Sequence, residues 1–197
     1  MKPLHSHFYA YISKLRWVRR WGLKRNAVPE NAMEHSWEVA VIAHGLALIR
    51  NRYFDGKVDA NAVVVAALYH DCSEVITGDM PSPIKYHSPQ ITAAYKSIEH
   101  QAERELLDLL PETLQQDFAP FLLAANIPTE HHELVKAADT LSAYLKSQME
   151  LAAGNTEFAA AANDIKQRLD QIELPEVGFY LDTFAGSYSL TLDELLR

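Results

Sequence analysis

The sequence predicts an all-α fold, a bundle of helices with a polar site between them, and three observations predict it. Apolar residues recur three and four apart through long windows, as in Val39, Ile42, Ala43, Leu46 and Ile49. Capping residues stand where such windows begin, among them Asn31, Asp59, Ser88 and Thr129. Strand-like alternation, internal repeats and low-complexity linkers do not stand out in the 197 residues, a length that suits one domain over 1–197.

Taken in order, Phe8, Tyr11, Ile12 and Leu15 mark an amphipathic helix from about His5 to Arg20. Residues 21–30 form an irregular connection containing Gly22 and Pro29. Asn31 with Glu34 makes a capping-box pattern, opening a helix that runs to about Arg52 and carries His35 in its first turn. Asp59 caps the next helix, which ends near His70-Asp71. The two prolines and the glycine of Thr77–Lys85 predict a loop without a regular element. Ser88-Pro89 reads as N-cap and first helical residue of a helix to about Leu110, and Pro111 opens another to about Ala125. Thr129 caps a helix from Glu130 to about Ala153, which Gly154 stops, and Thr156 starts one to about Ile172. After Pro175 a short segment spans Val177 to Phe184, and Thr191 with Glu194 caps a terminal turn.

Composition narrows the function. A formal charge of −8 argues against a general binder of nucleic-acid polymers. A small anionic substrate stays compatible, because Arg16, Arg19, Arg20, Lys24 and Arg25 cluster in sequence and a metal adds local positive charge. No apolar run approaches the ~18–20 residues of a membrane helix, and the N-terminus lacks a signal-type apolar core. The single cysteine, Cys72, excludes an internal disulfide and fits a reducing cytoplasm.

The chemistry concentrates in Leu68-Tyr69-His70-Asp71-Cys72-Ser73-Glu74, delivered by the apolar run Ala62–Leu68. Buried ionisable groups are costly unless they pair or bind a metal. A divalent cation satisfies His70 and Asp71 together and leaves Glu74 one turn beyond, on the same face. His35, and Asp139 within Val135–Leu141, complete an ordered set of two imidazoles and two carboxylates. Such a mixed N/O site suits Mn, Fe, Co, Ni or Zn with positions open to water and substrate. Taken singly, each has a plainer explanation: His35 as a solvated or hydrogen-bonded histidine, Asp139 as a partner of Lys136 or Arg25. Glu74 beside apolar wall and a cation is suited to proton transfer, and Arg20 offers a fork matching a phosphate.

The ordered pattern resembles the HD-domain metal-dependent phosphohydrolases. Further motifs are similar to their bacterial 5′-deoxynucleotidase branch: Arg20-Trp21, Glu30-Asn31 followed by Glu34-His35-Ser36, Tyr69-His70-Asp71 with Glu74, the Gly78-Asp79-x-Pro81-x-Pro83-x-Lys85 loop, and Lys136 with Asp139. Met80 and Ser82 depart from that pattern, where leucine and threonine are expected. The resemblance implies an HD-domain helical bundle that hydrolyses 2′-deoxyribonucleoside 5′-monophosphates with a metal-activated water. His35, His70, Asp71 and Asp139 would hold one divalent cation (Co, Mn, Zn or similar), and Glu74 and Arg20 would be catalytic. Arg20, Trp21, His35, Asp71, Asp79, Met80, Pro81, Ser82 and Asp139 would meet substrate, Trp21 crowding the 2′ position and Asp79 accepting from the 3′-hydroxyl. It also implies a homodimer, for which Leu106–Leu110 and Phe118–Leu122 offer apolar faces. Two alternatives stand beside this reading. Sibling HD enzymes act on nucleoside triphosphates or cyclic nucleotides, which call for more cations or more His/Asp ligands. A metal-stabilised interaction module would have no use for Arg20 or Glu74 beside a closed site.

Overall fold

The computed structural model describes residues 5–196, and among them the fold is all helical. In chain order the α-helices are α1 Phe8–Ile12, α2 Ala32–Tyr53, α3 Ala60–Tyr69, α4 Glu74–Thr77, α5 Ser82–Lys85 and α6 Pro89–Asp108. Then follow α7 Glu112–Leu122, α8 Thr129–Ala152, α9 Ala159–Asp170, α10 Pro175–Phe184 and α11 Leu192–Leu195.

Helix α2 is the axis. Its capping box forms as the sequence predicts: Asn31 Oδ1 accepts from the Met33 and Glu34 N–H groups at 3.1 and 3.0 Å, and Glu34 accepts from Asn31 N at 3.4 Å. Val39, Ile42, Ala43 and Leu46 then face α3 and α8, where Val63, Ala67, Leu134 and Leu141 meet them in one buried cluster. Each large apolar side chain buried this way contributes roughly 1.5–3 kcal/mol. Ile165 and Leu169 of α9 and Val177 of α10 close the far side.

A second, smaller cluster joins Phe8, Cys72, Leu106, Leu110 and Leu122. Of the faces the sequence offers to a partner chain, Leu106, Leu110 and Leu122 are buried here beside α1 and the turn after α3, while Leu107, Leu109 and Phe118 stay partly exposed. Phe118 packs edge-on against Phe8 at 5.4 Å.

Several boundaries differ from the sequence reading. The first helix stops at Ile12, becomes a 3₁₀ turn over Ser13–Trp17, and is extended at Val18. The cause lies far along the chain. Ala32 N donates to Val18 O at 3.0 Å and Arg20 N to Glu30 O at 3.1 Å, forming an isolated antiparallel bridge between Arg19 and Asn31. Helix α5 forms inside the supposed loop, because Pro83 sits in its first turn where no N–H is needed. Pro128 occupies the N-cap of α8 and Thr129 is its first residue, with no side-chain cap. Helix α7 ends at Leu122, followed by a 3₁₀ turn, and the segment after Gly154 begins with a 3₁₀ turn at Thr156–Phe158 before α9. Asn155, rather than Thr156, supplies the cap, accepting from Glu157 N at 3.3 Å.

The connection 21–30 is tied down at its far end. Glu150 of α8 accepts from the Ala27 and Val28 N–H groups at 2.7 and 3.0 Å, and buried Lys146 donates to both Val28 O and Glu150. The corner that carries Arg20 and Trp21 is therefore clamped at both ends, by the bridge and by α8.

Candidate active site

Three segments converge on one partly buried group of donors. His35 lies in the first turn of α2 and is buried. His70 and Asp71 sit in the turn that ends α3, and Asp139 faces them from α8. The ligating atoms of His35, His70 and Asp71 all lie within 4.8 Å of one another. Asp71 Oδ2 is 3.1 Å from His70 Nε2 and 3.6 Å from His35 Nε2. Asp139 joins from one side, with Oδ1 3.0 Å from His35 Nε2. Its expected alternative partners, Lys136 and Arg25, are not the groups it pairs with; Arg25 faces Glu157 instead.

The tautomers follow from the hydrogen bonds. His70 Nδ1 lies 2.8 Å from Ala67 O, so that nitrogen carries the proton and donates. Ser142 Oγ commits its proton to Glu38 Oε2 at 2.7 Å and so receives the Nδ1–H of His35 at 3.2 Å. A proton or a cation therefore has to stand between each Nε2 and its carboxylate, His35 Nε2 lying 3.0 Å from Asp139 Oδ1 and His70 Nε2 3.1 Å from Asp71 Oδ2. His70 Nε2 is buried without a hydrogen-bond partner. Burial opposes charge on His70, yet Asp71 and Asp139 push it up to about 9, so the site's own charges draw in a positive species. A divalent cation fits that demand and the donor set. Ser142→Ala is expected to weaken metal binding about 10–100-fold, as loss of such an outer partner does elsewhere; isothermal titration with cobalt measures it.

Arg20 and Trp21 stand at the corner above this group. Arg20 Nη1 donates to Asp71 Oδ2 at 3.3 Å, and its Nε is buried with no hydrogen-bond partner. Burial disfavours the charge, but Asp71, Asp139, Glu30 and Glu74 outweigh it and hold the guanidinium above its ordinary pKa. Trp21 takes a left-handed backbone, φ 56°, a conformation that costs a bulky residue on the order of 1–3 kcal/mol. Its indole packs against Phe158 at 5.2 Å and donates to Glu30 Oε2 at 2.8 Å.

A cleft of about 180 Å³ opens from Asp71 and Asp139 past Arg20, Trp21 and Glu74 to Asp79, Met80 and Ser82. Glu74, first residue of α4, is buried, and its Oε2 has no partner. Burial, then Asp71 and Asp79, push its carboxyl up to about 9 against the opposing Arg20 and His70. Gly78, at φ 69°, ends α4 with a conformation that glycine adopts freely and turns the chain so that Asp79 faces the cleft. Burial raises Asp79 above the usual carboxylate range, with Arg20 opposing. Pro81 is not among the lining residues; it caps α5.

The expected basic cluster is not one. Arg16, Arg19 and Arg25 are exposed, Lys24 donates to Glu157 O, and only Arg20 enters the cleft. Its companions are Lys85, paired with Glu99 at 2.8 Å, and Arg168 from α9. Sequence reasoning gave no site role to Glu30, Glu38, Ser142, Lys85 or Arg168. Ser142 was within reach of it, being one helical turn beyond Asp139. The others are brought in by packing alone.

Residues 7–188 match the family described as 5′-deoxynucleotidase YfbR-like. The chain is 47% identical over 190 residues to a 5′-deoxynucleotidase of Vibrio parahaemolyticus, covering 96% of this chain and 98% of that one. A 5′-deoxynucleotidase of Vibrio cholerae is 46% identical over the same shares. Among solved structures, an HD-domain phosphohydrolase from Listeria innocua aligns with TM-score 0.80 at 20% identity, covering 97% of this chain and 92% of that one. The cyanophage S-2L HD phosphohydrolase, bound to dA and one catalytic Zn²⁺ ion, aligns with TM-score 0.67 at 22% identity, covering 95% and 99%. At these identities the structural likenesses carry the fold.

Proposed function

The chain belongs to the YfbR-like 5′-deoxynucleotidase family, and from that premise we propose that its cleft hydrolyses 2′-deoxyribonucleoside 5′-monophosphates to deoxyribonucleoside and phosphate. One observation carries this reading: the His35–His70–Asp71 group, His35 buried and the other two partly so, opens through Asp71 to the same cleft as Arg20 and a partnerless Glu74 Oε2. A closed structural metal site needs neither.

His35, His70, Asp71 and Asp139 hold the cation, for which cobalt, manganese or zinc suits two imidazoles and two carboxylates. When bound it supplies Lewis acidity toward a phosphate oxygen and acidifies water. Arg20 orients the 5′-phosphate through its fork. Glu74 moves the proton that hydrolysis requires. Trp21 closes the corner against a 2′-hydroxyl, which would also lose its water partners there. Asp79 takes the 3′-hydroxyl, with Met80 and Ser82 beside it; Pro81 acts only by setting the start of α5.

The test is phosphate release from dAMP, dCMP, dTMP, AMP and dATP by metal-stripped protein with cobalt, manganese, magnesium or zinc restored. Release from the deoxymonophosphates is expected. Release mainly from dATP would transfer the assignment to a triphosphatase, for which Arg168 at the cleft supplies the extra cation.

We further infer that the unit acts as a single cytoplasmic domain and as a homodimer, through a face other than the one the sequence pointed to. Trp37, Val41 and Leu48 form an outward stripe on α2, at 65%, 53% and 49% exposure. Val41→Glu is expected to give a monomer by light scattering, and an unchanged dimer would remove that stripe from the interface.

A further inference from the structure

Glu30 touches three parts of the site from behind. Its Oε2 accepts from Trp21 Nε1 at 2.8 Å and lies 3.5 Å from Arg20 Nε. Its Oε1 lies 3.6 Å from His35 Nδ1, on the opposite edge of the ring from Asp71 and Asp139. The carboxylate is largely buried, 12% exposed, and does not line the cleft. It therefore meets neither substrate nor cation directly.

The fold brings it there by a specific route. The Arg19–Asn31 bridge folds the 21–30 connection back on itself, and Arg20 N donates to Glu30 O at 3.1 Å. Glu30 is thus attached to the Arg20–Trp21 corner by backbone and by side chain. The indole has two fixing points, its face on Phe158 and its N–H on Glu30. Rotation of the ring about its own axis is blocked by the second alone. Arg20 is steered in the same way, with Nη1 held on Asp71 and Nε flanked by Glu30.

We propose that Glu30 is a positioning residue that sets sugar selectivity: its carboxylate locks the Trp21 indole edge and aims the Arg20 fork, so that one group couples the 2′ gate to the phosphate grip. This deepens the reading of the cleft as a deoxynucleotidase site and rests on it. The two contacts are chemically separable. Glutamine keeps a carbonyl oxygen for the indole N–H but loses the charge beside Arg20. Alanine loses both.

The experiment compares wild-type holoenzyme, Glu30→Gln and Glu30→Ala by two readouts. The first is the kcat/KM ratio of dAMP to AMP, with KM and kcat reported separately. The second is the Trp21 indole N–H resonance in ¹⁵N-labelled protein, separable from those of Trp17 and Trp37, which are exposed at 71% and 65%. Glu30→Ala is expected to shift the Trp21 resonance, speed its hydrogen exchange and lower the dAMP/AMP ratio by about tenfold, the equivalent of one hydrogen bond. Glu30→Gln is expected to keep the resonance protected and the ratio within about twofold, while KM rises and kcat holds. An unmoved resonance and an unchanged ratio in Glu30→Ala overturn the proposal. So does a Glu30→Gln variant that loses selectivity as fully as alanine, since that would make the charge and not the indole bond responsible. Should the wild type itself not prefer dAMP, the functional reading fails, and the indole resonance alone still decides whether Glu30 holds Trp21. A loss of folding in Glu30→Ala leaves the decision to Glu30→Met, which fills the same space without an acceptor for the indole N–H and is expected to lower the ratio equally.

Discussion

Glu74→Gln is expected to lower turnover by about 10²–10⁴-fold, the range that a positioned proton-transfer group supplies, while metal binding and folding are kept. The argument is one of shape and surroundings. Glu74 is buried at the cleft wall and its Oε2 has no partner within the protein. A buried, unsatisfied carboxyl oxygen is costly to keep. Glutamine fills the same volume and cannot carry the proton. With its carboxyl pushed up to about 9, Glu74 is neutral near pH 7, so glutamine reproduces its charge as well as its shape and the melting temperature is expected to hold. Activity then falls while stability is kept, which separates the chemistry from the fold. Rates of phosphate release from dAMP, alongside a cobalt titration of the same variant, check it. Turnover within about threefold of wild type would remove Glu74 from the chemistry and leave it a wall residue.

The proposed ligand residues stand out in the sequence for the same reason that Glu74 does. Each is an ionisable group set in an apolar helical context, where solvation does not explain it. His35 in the first turn behind a capping box and His70-Asp71 at the end of an apolar run are local patterns, and α2 and α3 begin where Asn31 and Asp59 predict. What stayed hidden depends on pairings across the chain. The break in the first helix is caused by residues 30–32, and no periodicity within 5–20 encodes it. Glu30 has an ordinary loop context; its importance arises from three contacts, to Arg20, Trp21 and His35, that only the bridge creates. The run of basic residues illustrates the converse. Arg16, Arg19, Arg20, Lys24 and Arg25 are neighbours in sequence, yet the 3₁₀ turn and the bend at Trp21 scatter them, while Arg168 arrives from α9. An amphipathic pattern, finally, says which face is buried but not against what. Leu106 and Leu110 meet Phe8 and Cys72 of the same chain in one buried cluster.

Removing the cation is expected to lower the melting temperature by about 8–16 °C, and Asp71→Asn is expected to abolish that difference. The size follows from linkage. A ligand present at a thousand times its dissociation constant and bound by the native state alone stabilises it by about 4.1 kcal/mol. For a chain of this length each kcal/mol moves the midpoint by about 2–4 °C. The structure gives reason to place the cation in the native state alone, since His35, His70, Asp71 and Asp139 come from α2, the turn after α3, and α8. Asp71 is the right residue to change because it meets His70, His35 and Arg20 at once, at 3.1, 3.6 and 3.3 Å. Without its charge the two Nε2 atoms lose the carboxylate they share, and Asp139 alone faces them. Differential scanning fluorimetry with chelator, and with cobalt restored, reads the shift for wild type, Asp71→Asn and Glu74→Gln together. Glu74→Gln is expected to keep the metal-dependent shift while losing turnover, and Asp71→Asn to lose both. A full shift retained in Asp71→Asn would place the cation elsewhere in the protein. The pair of variants therefore separates the group that holds the metal from the group that moves the proton, two roles that a single activity assay would merge.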